Sequence, residues 1–118
     1  MQDYKKLSVW KKAHLLTLAV YKTTSAFPKE EMFTLTSQMR RACLSVPANI
    51  VEGCGRGGSA ELGRFLQIAS GSAHELEYYL LLSQELKYIN AKDYSQTIAL
   101  VGEVNRMLSA LINKVKKS

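Results

Sequence analysis

The sequence contains little cysteine and no long apolar run. Its two cysteines, Cys43 and Cys54, form no CxxC pair and are too few for a disulfide scaffold or a zinc site. We therefore interpret them as a small core residue and a loop thiol. The apolar stretch HLLTLAVY is closed by Lys12 and Lys22, well short of the ~20 residues that span a bilayer. No transmembrane helix is expected.

The N-terminal region has only a loose likeness to a signal peptide. Lysines precede a short apolar run, but the apolar residues are interspersed with polar ones at helical spacing, and His14 and Thr17 interrupt the run. We expect a cytoplasmic protein that makes no membrane contact.

Proline and alternating β-branched runs are also scarce, which favours helices throughout the chain. Apolar residues at helical spacing predict four amphipathic helices joined by short links. The predicted fold is therefore an all-α, antiparallel up-down-up-down four-helix bundle that forms a single domain over residues 1–118. Pro47 falls inside the second helix and predicts a kink there, because it removes the hydrogen bond to the carbonyl of Cys43.

Capping residues and glycines set the predicted ends of the helices. The expected boundaries are Ser8 (N-cap) to Ser25, Thr34 or Thr36 to Gly53, a long helix from Ser59, and a fourth helix opened by a capping box of Asn90 and Asp93. The stripes expected to face the core are Val9, Ala13, Leu16, Val20 and Phe27; Leu35, Met39, Ala42, Val46 and Ile50; Leu62, Leu66, Ala69, Ala73, Leu76 and Leu80; and Tyr94, Ile98, Val101, Leu108, Ile112 and Val115.

The stretch EGCGRGGS contains the spacing G-x-G-x-x-G at Gly53, Gly55 and Gly58, which in Rossmann proteins cradles a pyrophosphate. Here no strand precedes the glycines, and no Lys-Ser or Lys-Thr pair follows them as in a P-loop. We therefore exclude both nucleotide sites. The glycines are expected to reverse the chain between two helices, with Gly53 as a left-handed C-cap and Ser59 as the cap of the third helix.

In the predicted topology this glycine loop lies at the same end of the bundle as both chain termini, and we call this end the basic end. It collects nine basic residues against three acids, Asp3, Glu52 and Glu61, so its formal charge is 9 − 3 = +6, the net charge of the whole chain. The nine are Lys5, Lys6, Lys11, Lys12, Arg56, Arg64, Lys114, Lys116 and Lys117. Positive charge beside the start of a helix favours phosphate.

Polyanion binding through phosphates is therefore the leading hypothesis from the charge distribution. The predicted contacts are Lys5, Lys6, Arg56, Arg64, Lys116 and Lys117, with Arg40 and Arg41 as a second possibility if assembly brings them to a pore or groove. Lysine-rich termini that only increase solubility are the alternative. No aromatic platform among the basic residues is evident, and whether Trp10 packs or stacks stays open.

The sequence contains no recognisable catalytic or metal-binding pattern. A di-metal bundle needs paired E-x-x-H motifs, and neither His14 nor His74 has the required glutamate. The two cysteines have no evident histidine partner. We expect no enzyme activity, no catalytic residues, no metal and no cofactor.

A polar stripe borders the apolar face of the second helix. Its members, at steps of four, four, three and four residues, are Arg41, Ser45, Asn49, Glu52 and Arg56. A hydrogen-bonded structural network in which Glu52 pairs with an arginine is the favoured interpretation. A contact with a ligand or a second subunit is the alternative.

The second and third helices also carry apolar residues outside their core stripes. They are Leu44, Ala48 and Val51 on the second helix, and Gly71, Tyr78 and Leu82 on the third. A helix that is apolar on two sides needs two burial partners, so these residues predict an interface between copies of the chain. Scattered surface apolar residues are the alternative.

The run LTSQMRRACLSVPANIVEGCGRGGSAELGRFLQIASGSAHELEYYL resembles the four-helix-bundle family of 23S rRNA intervening-sequence proteins. The shared segments are Leu35 to Arg41, Ser45 to Ile50, Glu52-Gly53, Phe65-Leu66 and Gly71-Ser72 through Glu75-Leu76. VWKKAHLL and NRMLSALINKVKK look like the family's first and last helices.

The resemblance implies a bacterial bundle protein that assembles as a homopentamer. The chain is also similar to the accessory variability determinant of diversity-generating retroelements, a basic pentameric bundle that partners a reverse transcriptase and binds nucleic acid. No catalytic residue is implied. With the charge placement, the resemblance implies non-enzymatic, homo-oligomeric binding of nucleic acid, with RNA favoured. The alternative is an assembly or adaptor protein whose ligand is a protein such as a reverse transcriptase.

Overall fold

The computed structural model describes residues 3–117, and these residues form helices and turns with no strand. The four helices are α1 (Ser8–Thr24), α2 (Leu35–Gly55), α3 (Ser59–Glu85) and α4 (Ala91–Lys116). Short 3-10 turns at Tyr4–Lys6 and Lys29–Glu31 precede α1 and α2, and neither was predicted. The molecule measures 45 × 24 × 20 Å. The all-α four-helix fold is confirmed.

Each helix lies beside two others, and across residues 3–117 no Cα atom of α1 comes within 8 Å of one in α3, nor one of α2 within 8 Å of one in α4. Contacts between neighbours join early residues of one helix to late residues of the next. Ser72 bonds to Ser45, for example, and Ser83 bonds to Met39 further back along α2. The helices α2 and α3 therefore run antiparallel, and so do α1 and α2, where Thr17 bonds to Cys43 and Thr24 bonds to Arg40 further back along α2. The glycine loop lies at one end with residues 3–7 and the end of α4, and the turns at 25–34 and 86–90 form the other, which we call the far end.

The buried residues follow the apolar periodicity of the sequence. Every predicted core residue of the first three helices, with Phe27, is buried. On α4 the stripe is less complete, because Tyr94, Ile98, Ile112 and Val115 are only half-buried while Thr97 and Val104 are buried beside Val101 and Leu108. None of the helices within residues 3–117 is long and apolar enough to cross a membrane.

Two predictions for the glycine loop were wrong: that Gly53 is a left-handed C-cap, and that α2 ends at Gly53. No described glycine has a positive φ, so Gly53 is not a left-handed C-cap, and α2 continues to Gly55. Gly53 instead permits close packing, since an added Cβ would lie 3.0 Å from the Cβ of Phe65 on α3. The left-handed conformation, φ 64°, is adopted by Lys87 in the turn between α3 and α4.

Pro47 lies within α2, and the predicted kink there stays a prediction. A proline nitrogen has no proton to donate, so the carbonyl of Cys43 loses its helical partner. The hydroxyl of Thr17 on α1 lies 3.1 Å from that carbonyl oxygen and 2.9 Å from the carbonyl oxygen of Ala13. Its proton is within reach of both, so α1 satisfies the acceptor that Pro47 leaves open.

Candidate nucleic-acid interface

The basic end is built from three parts of the chain. The 3-10 turn at Tyr4–Lys6 contacts α2, whose last residues lead into the glycine loop. The end of α4 meets the start of α3, where Ser59, Gly63, Arg64, Val115 and Lys116 line one cavity of about 350 Å³. The predicted neighbours Arg64 and Lys116 are thereby brought together, and Lys5, Lys6 and Lys117 are exposed nearby on their own segments.

Two arginines flank one phenylalanine ring beside the loop. The guanidinium carbon of Arg56 lies 5.1 Å from the ring centroid of Phe65, and that of Arg64 lies 4.5 Å from it. Each arginine also pairs with a glutamate of its own helix or loop, Arg56 with Glu52 at 2.9 Å and Arg64 with Glu61 at 3.4 Å. These pairs are exposed and weak, on the order of 0.5 kcal/mol, so they do not prevent the arginines from meeting a phosphate.

The first turn of α3 opens towards a cavity of about 160 Å³ that the glycine loop encloses with Arg56 and Ser59. The predicted cap was wrong by one residue, since Ser59 is the first helical residue and Gly58 stands at the N-cap position with no side-chain bond to the helix. The free backbone N–H groups of a first helical turn carry partial positive charge. The helix dipole therefore adds to the positive charge of the neighbouring side chains.

One lysine of the nine is neutralised by an acid from the remainder of the chain. The ammonium group of Lys12 lies 3.4 Å from a carboxylate oxygen of Glu103 on α4. Glu103 was not among the acids predicted at the basic end, because the sequence does not show that α4 passes beside Lys12. The positive field is therefore smaller along the α1–α4 side than the formal charge indicates.

Arg40 and Arg41 lie away from the basic end, in the first half of α2. Arg40 donates a hydrogen bond of 2.9 Å from its Nε to the hydroxyl oxygen of Thr24 and stacks over the ring of Tyr21 at 4.8 Å. Arg40 thus contacts α1 within its own chain. Arg41 is exposed. Within one chain, neither arginine is brought to the glycine loop.

The polar stripe of α2 is divided into two groups of bonds. Asn49 donates from its Nδ2 to the hydroxyl of Ser45 at 2.9 Å, and Ser72 of α3 donates to the same hydroxyl at 2.7 Å. Glu52 bonds to Arg56 separately. Arg41 takes part in neither group among the bonds of residues 3–117. The contribution of Ser72 was missed, because only the register of α3 against α2 reveals it.

The apolar residues outside the core differ in exposure. Leu44 is 46% exposed and Tyr78 is 58% exposed, and Ala48 is exposed as well. Val51 and Leu82 are half-buried, and Leu82 packs against the core of its own chain. An added Cβ on Gly71 would meet no atom within 4 Å, so nothing within the chain requires a glycine in the middle of α3.

The buried thiols are poorly suited to nucleophilic chemistry. Burial raises the pKa of Cys43 to about 12, and burial also raises the pKa of Cys54. Both are therefore protonated at neutral pH, and a thiol is a far weaker nucleophile than a thiolate. Within residues 3–117, no three His, Cys, Asp or Glu side chains are grouped so that they could hold a metal ion.

The arrangement places this chain in the class of all-α four-helix bundles, with cations and an uncapped helix start gathered at one end. The chain belongs to the family of 23S rRNA-intervening sequence proteins, which matches residues 5–110. The resemblance found in the sequence is thereby confirmed.

A solved structure supports the same assignment. The chain is similar to a protein of unknown function from the S23 ribosomal protein family of Bacteroides thetaiotaomicron VPI-5482, with 25% sequence identity and a TM-score of 0.81. The likeness covers 89% of this chain and 95% of that chain. No match is found among the curated proteins.

Proposed function

We propose that the chain is a cytoplasmic, non-enzymatic and homo-oligomeric protein that binds RNA through phosphate contacts at its basic end. The observation that carries the proposal is that Arg56 of the glycine loop, Arg64 of α3 and Lys116 at the end of α4 line cavities at the uncapped start of α3. The turn Tyr4–Lys6, which contacts α2, adds two exposed lysines to the same end of the bundle. The name of the family favours RNA over DNA.

The proposed contacts act by charge and not by reading bases. Arg56, Arg64 and Lys116 surround the start of α3, and Lys5, Lys6 and Lys117 extend the positive surface. Phosphate can accept hydrogen bonds from guanidinium and ammonium groups and from the first backbone N–H groups of the helix. Each contact releases counterions from the nucleic acid, so salt concentration controls the affinity.

A salt titration tests the charge mechanism. The affinity for a structured RNA, measured by fluorescence anisotropy, is expected to fall on the order of a thousandfold between about 50 and 200 mM salt if about six phosphates are neutralised. Affinity that does not change across this range would contradict the proposal.

Matched substitutions locate the site. Arg56→Gln with Arg64→Gln should reduce the slope of log affinity against log salt by about 2, because two phosphate contacts are lost. Glutamine avoids new repulsion with Glu52 and Glu61. The control is Lys29→Gln with Lys92→Gln, which removes the same charge from exposed positions at the far end and should leave the slope unchanged. Equal losses in both variants would move the site away from the basic end.

The proposed oligomer uses the outer faces of α2 and α3. Support comes from the exposure of Leu44 and Tyr78, from Gly71 with open space above it, and from the pentamer that the family resemblance implies. Leu44→Glu should dissociate the assembly, which multi-angle light scattering would detect as a loss of mass. Leu15→Glu on α1 is the matched control, since Leu15 is 51% exposed and Leu44 is 46% exposed.

The alternative function is that of an adaptor for a protein partner such as a reverse transcriptase. It predicts a different result for the purified oligomer. A purified oligomer that carries no nucleic acid and does not respond to salt would favour it. Tyr78→Ala should then remove the partner in a pull-down while leaving any retention of RNA intact. Leu82 is unsuitable for this test, because it packs against the core of its own chain.

A further inference from the structure

Three ring side chains lie in series at the N-terminal part of the molecule. The rings of Trp10 and His14 are stacked, with centroids 5.2 Å apart and planes only 6° from parallel. The ring of Tyr4 meets Trp10 edge-on at 5.0 Å. Trp10 and His14 are four residues apart on α1 and therefore share one face of the helix. We call Tyr4, Trp10 and His14 the aromatic ladder.

One side of the ladder is anchored and the other is open to solvent. Tyr4 and Trp10 are half-buried and pack against the core, whereas His14 is exposed. The turn that carries Tyr4 is held by a hydrogen bond of 3.0 Å from the backbone N–H of Leu7 to the carbonyl oxygen of Tyr4. The rings are therefore ordered before any ligand arrives, which reduces the entropy lost on binding.

Lysines accompany the same rings along the chain. The ammonium group of Lys5 lies 6.0 Å from the ring centroid of Tyr4, and Lys6 is exposed beside it. Lys11 is exposed one residue after Trp10 and three residues before His14. The nearby acid, Asp3, is engaged with the backbone N–H of Lys5 at 3.1 Å. Rings interleaved with lysines are the arrangement that binds single-stranded nucleic acid, because bases stack on the rings while cations hold the phosphates.

No such platform was predicted from the sequence, in which the role of Trp10 stayed open. The missing information was the position of the 3-10 turn, which brings Tyr4 against Trp10. The spacing of Trp10 and His14 was visible in the sequence, but only the structure shows their parallel planes.

We propose that the aromatic ladder is a stacking site for unpaired bases of single-stranded RNA. The inference rests on the proposed binding of RNA and specifies which RNA that end of the molecule takes. Bases within a duplex are already stacked on each other, so they are unable to stack on protein rings unless they leave the helix. Phosphate contacts alone do not select unpaired bases, because single-stranded and double-stranded RNA both carry phosphates. The ladder therefore adds a preference for single-stranded RNA.

The test uses the fluorescence of Trp10, the single tryptophan of the chain. A short single-stranded oligo(U) should quench or shift its emission, while inorganic polyphosphate, which has the charges but no bases, should bind without this change. His14→Ala should lower the affinity for oligo(U) on the order of tenfold, as expected for one stacked base. The same variant should keep its affinity for duplex RNA, measured by anisotropy.

His74→Ala is the matched control, because it removes the other exposed histidine of the chain, on α3, and should change neither affinity. Identical emission with oligo(U) and polyphosphate, together with unchanged affinity in His14→Ala, would overturn the stacking site while leaving phosphate binding in place. Absence of binding to every RNA in the wild-type protein would overturn the stacking site and the proposed function together.

Discussion

At the far end of the bundle, α4 starts with a side-chain cap and a carboxylate accepts two side-chain hydrogen bonds, whereas the basic end gathers cations beside helix starts that have no side-chain cap. At the far end, the Oδ1 of Asn90 accepts a 2.7 Å hydrogen bond from the backbone N–H of Asp93 and caps α4. Glu31 there accepts from both Tyr88 and Thr34. At the basic end, α1 and α3 both start without a side-chain cap, as α2 does at the far end. The difference is the one that the proposed binding of RNA at the basic end requires.

Alkylation of the two cysteines compares the access of solvent to the core and to the basic end. We expect the difference between their alkylation rates to be the largest of the predicted effects. With its pKa raised to about 12 from an ordinary 9.0, Cys43 has about a thousandfold less thiolate at neutral pH than an ordinary thiol. Cys54 lines the cavity of the glycine loop and should react faster than Cys43. Mass spectrometry after timed exposure to iodoacetamide would distinguish them. Equal rates in the folded protein would show that the basic end is as closed as the core.

Gly53 offers a way to disturb the basic end alone. An added Cβ at Gly53 would lie 3.0 Å from the Cβ of Phe65, so Gly53→Ala should separate α2 from α3. We expect a loss of about 1–2 kcal/mol in the free energy of unfolding, measured by urea denaturation, because overpacking exceeds the gain in helix propensity. Gly55→Ala, with open space around it, is the control and should be neutral or slightly stabilising. A stabilising Gly53→Ala would show that the close approach can relax.

Exchanging the caps tests the difference between the helix starts. Asn90→Ala should destabilise the protein by about 1 kcal/mol, because the first turn of α4 loses its acceptor. Gly58→Ser should stabilise it by a few tenths of a kcal/mol, since Gly58 has extended backbone angles that serine adopts readily. Thermal unfolding would measure both. We also expect Gly58→Ser to weaken RNA binding, and unchanged binding would indicate that the start of α3 does not contact phosphate.

The bonds of Glu31 give the far end a small dependence on pH. Hydrogen bonds from Thr34 and then from Tyr88 lower the pKa of Glu31 below its ordinary 4.5. The stabilisation is therefore complete above the pKa of the unfolded chain and is lost as pH falls through the lower pKa of the folded state. Tyr88→Phe should be less stable than the wild type at pH 7, and the difference should shrink below about pH 4. A difference that stays constant from pH 7 to pH 3 would contradict this account.

Local signals in the sequence predicted the helices and the far-end cap well. Asn90 and Asp93 lie within one turn of each other, so their bond needs no knowledge of the fold. The role of Gly53 was predicted wrongly, because a glycine is needed there for the close approach of Phe65 on another helix. Ser72 and Glu103 were missed for the same cause, since each meets its partner across helices.

The candidate site was predicted only in outline. Arg64 and Lys116 were expected to be neighbours from topology and do line one cavity, although their role in binding stays a prediction. The orientations of the side chains could not be predicted from the sequence. The bracketing of Phe65 by Arg56 and Arg64 depends on rotamers and on the path of the glycine loop.

The hydroxyl of Thr17 also bears on how the chain avoids wrong alignments. Four amphipathic helices could slide past one another by one turn and still bury most of their apolar faces. A shift of α1 along α2 would withdraw Thr17 from the carbonyl of Cys43, which Pro47 has already deprived of its helical donor. The shifted bundle would then bury an acceptor without a partner, a penalty of about 1–3 kcal/mol. Pro47 in α2 thus disfavours misaligned packing of α1 against α2 relative to the native alignment.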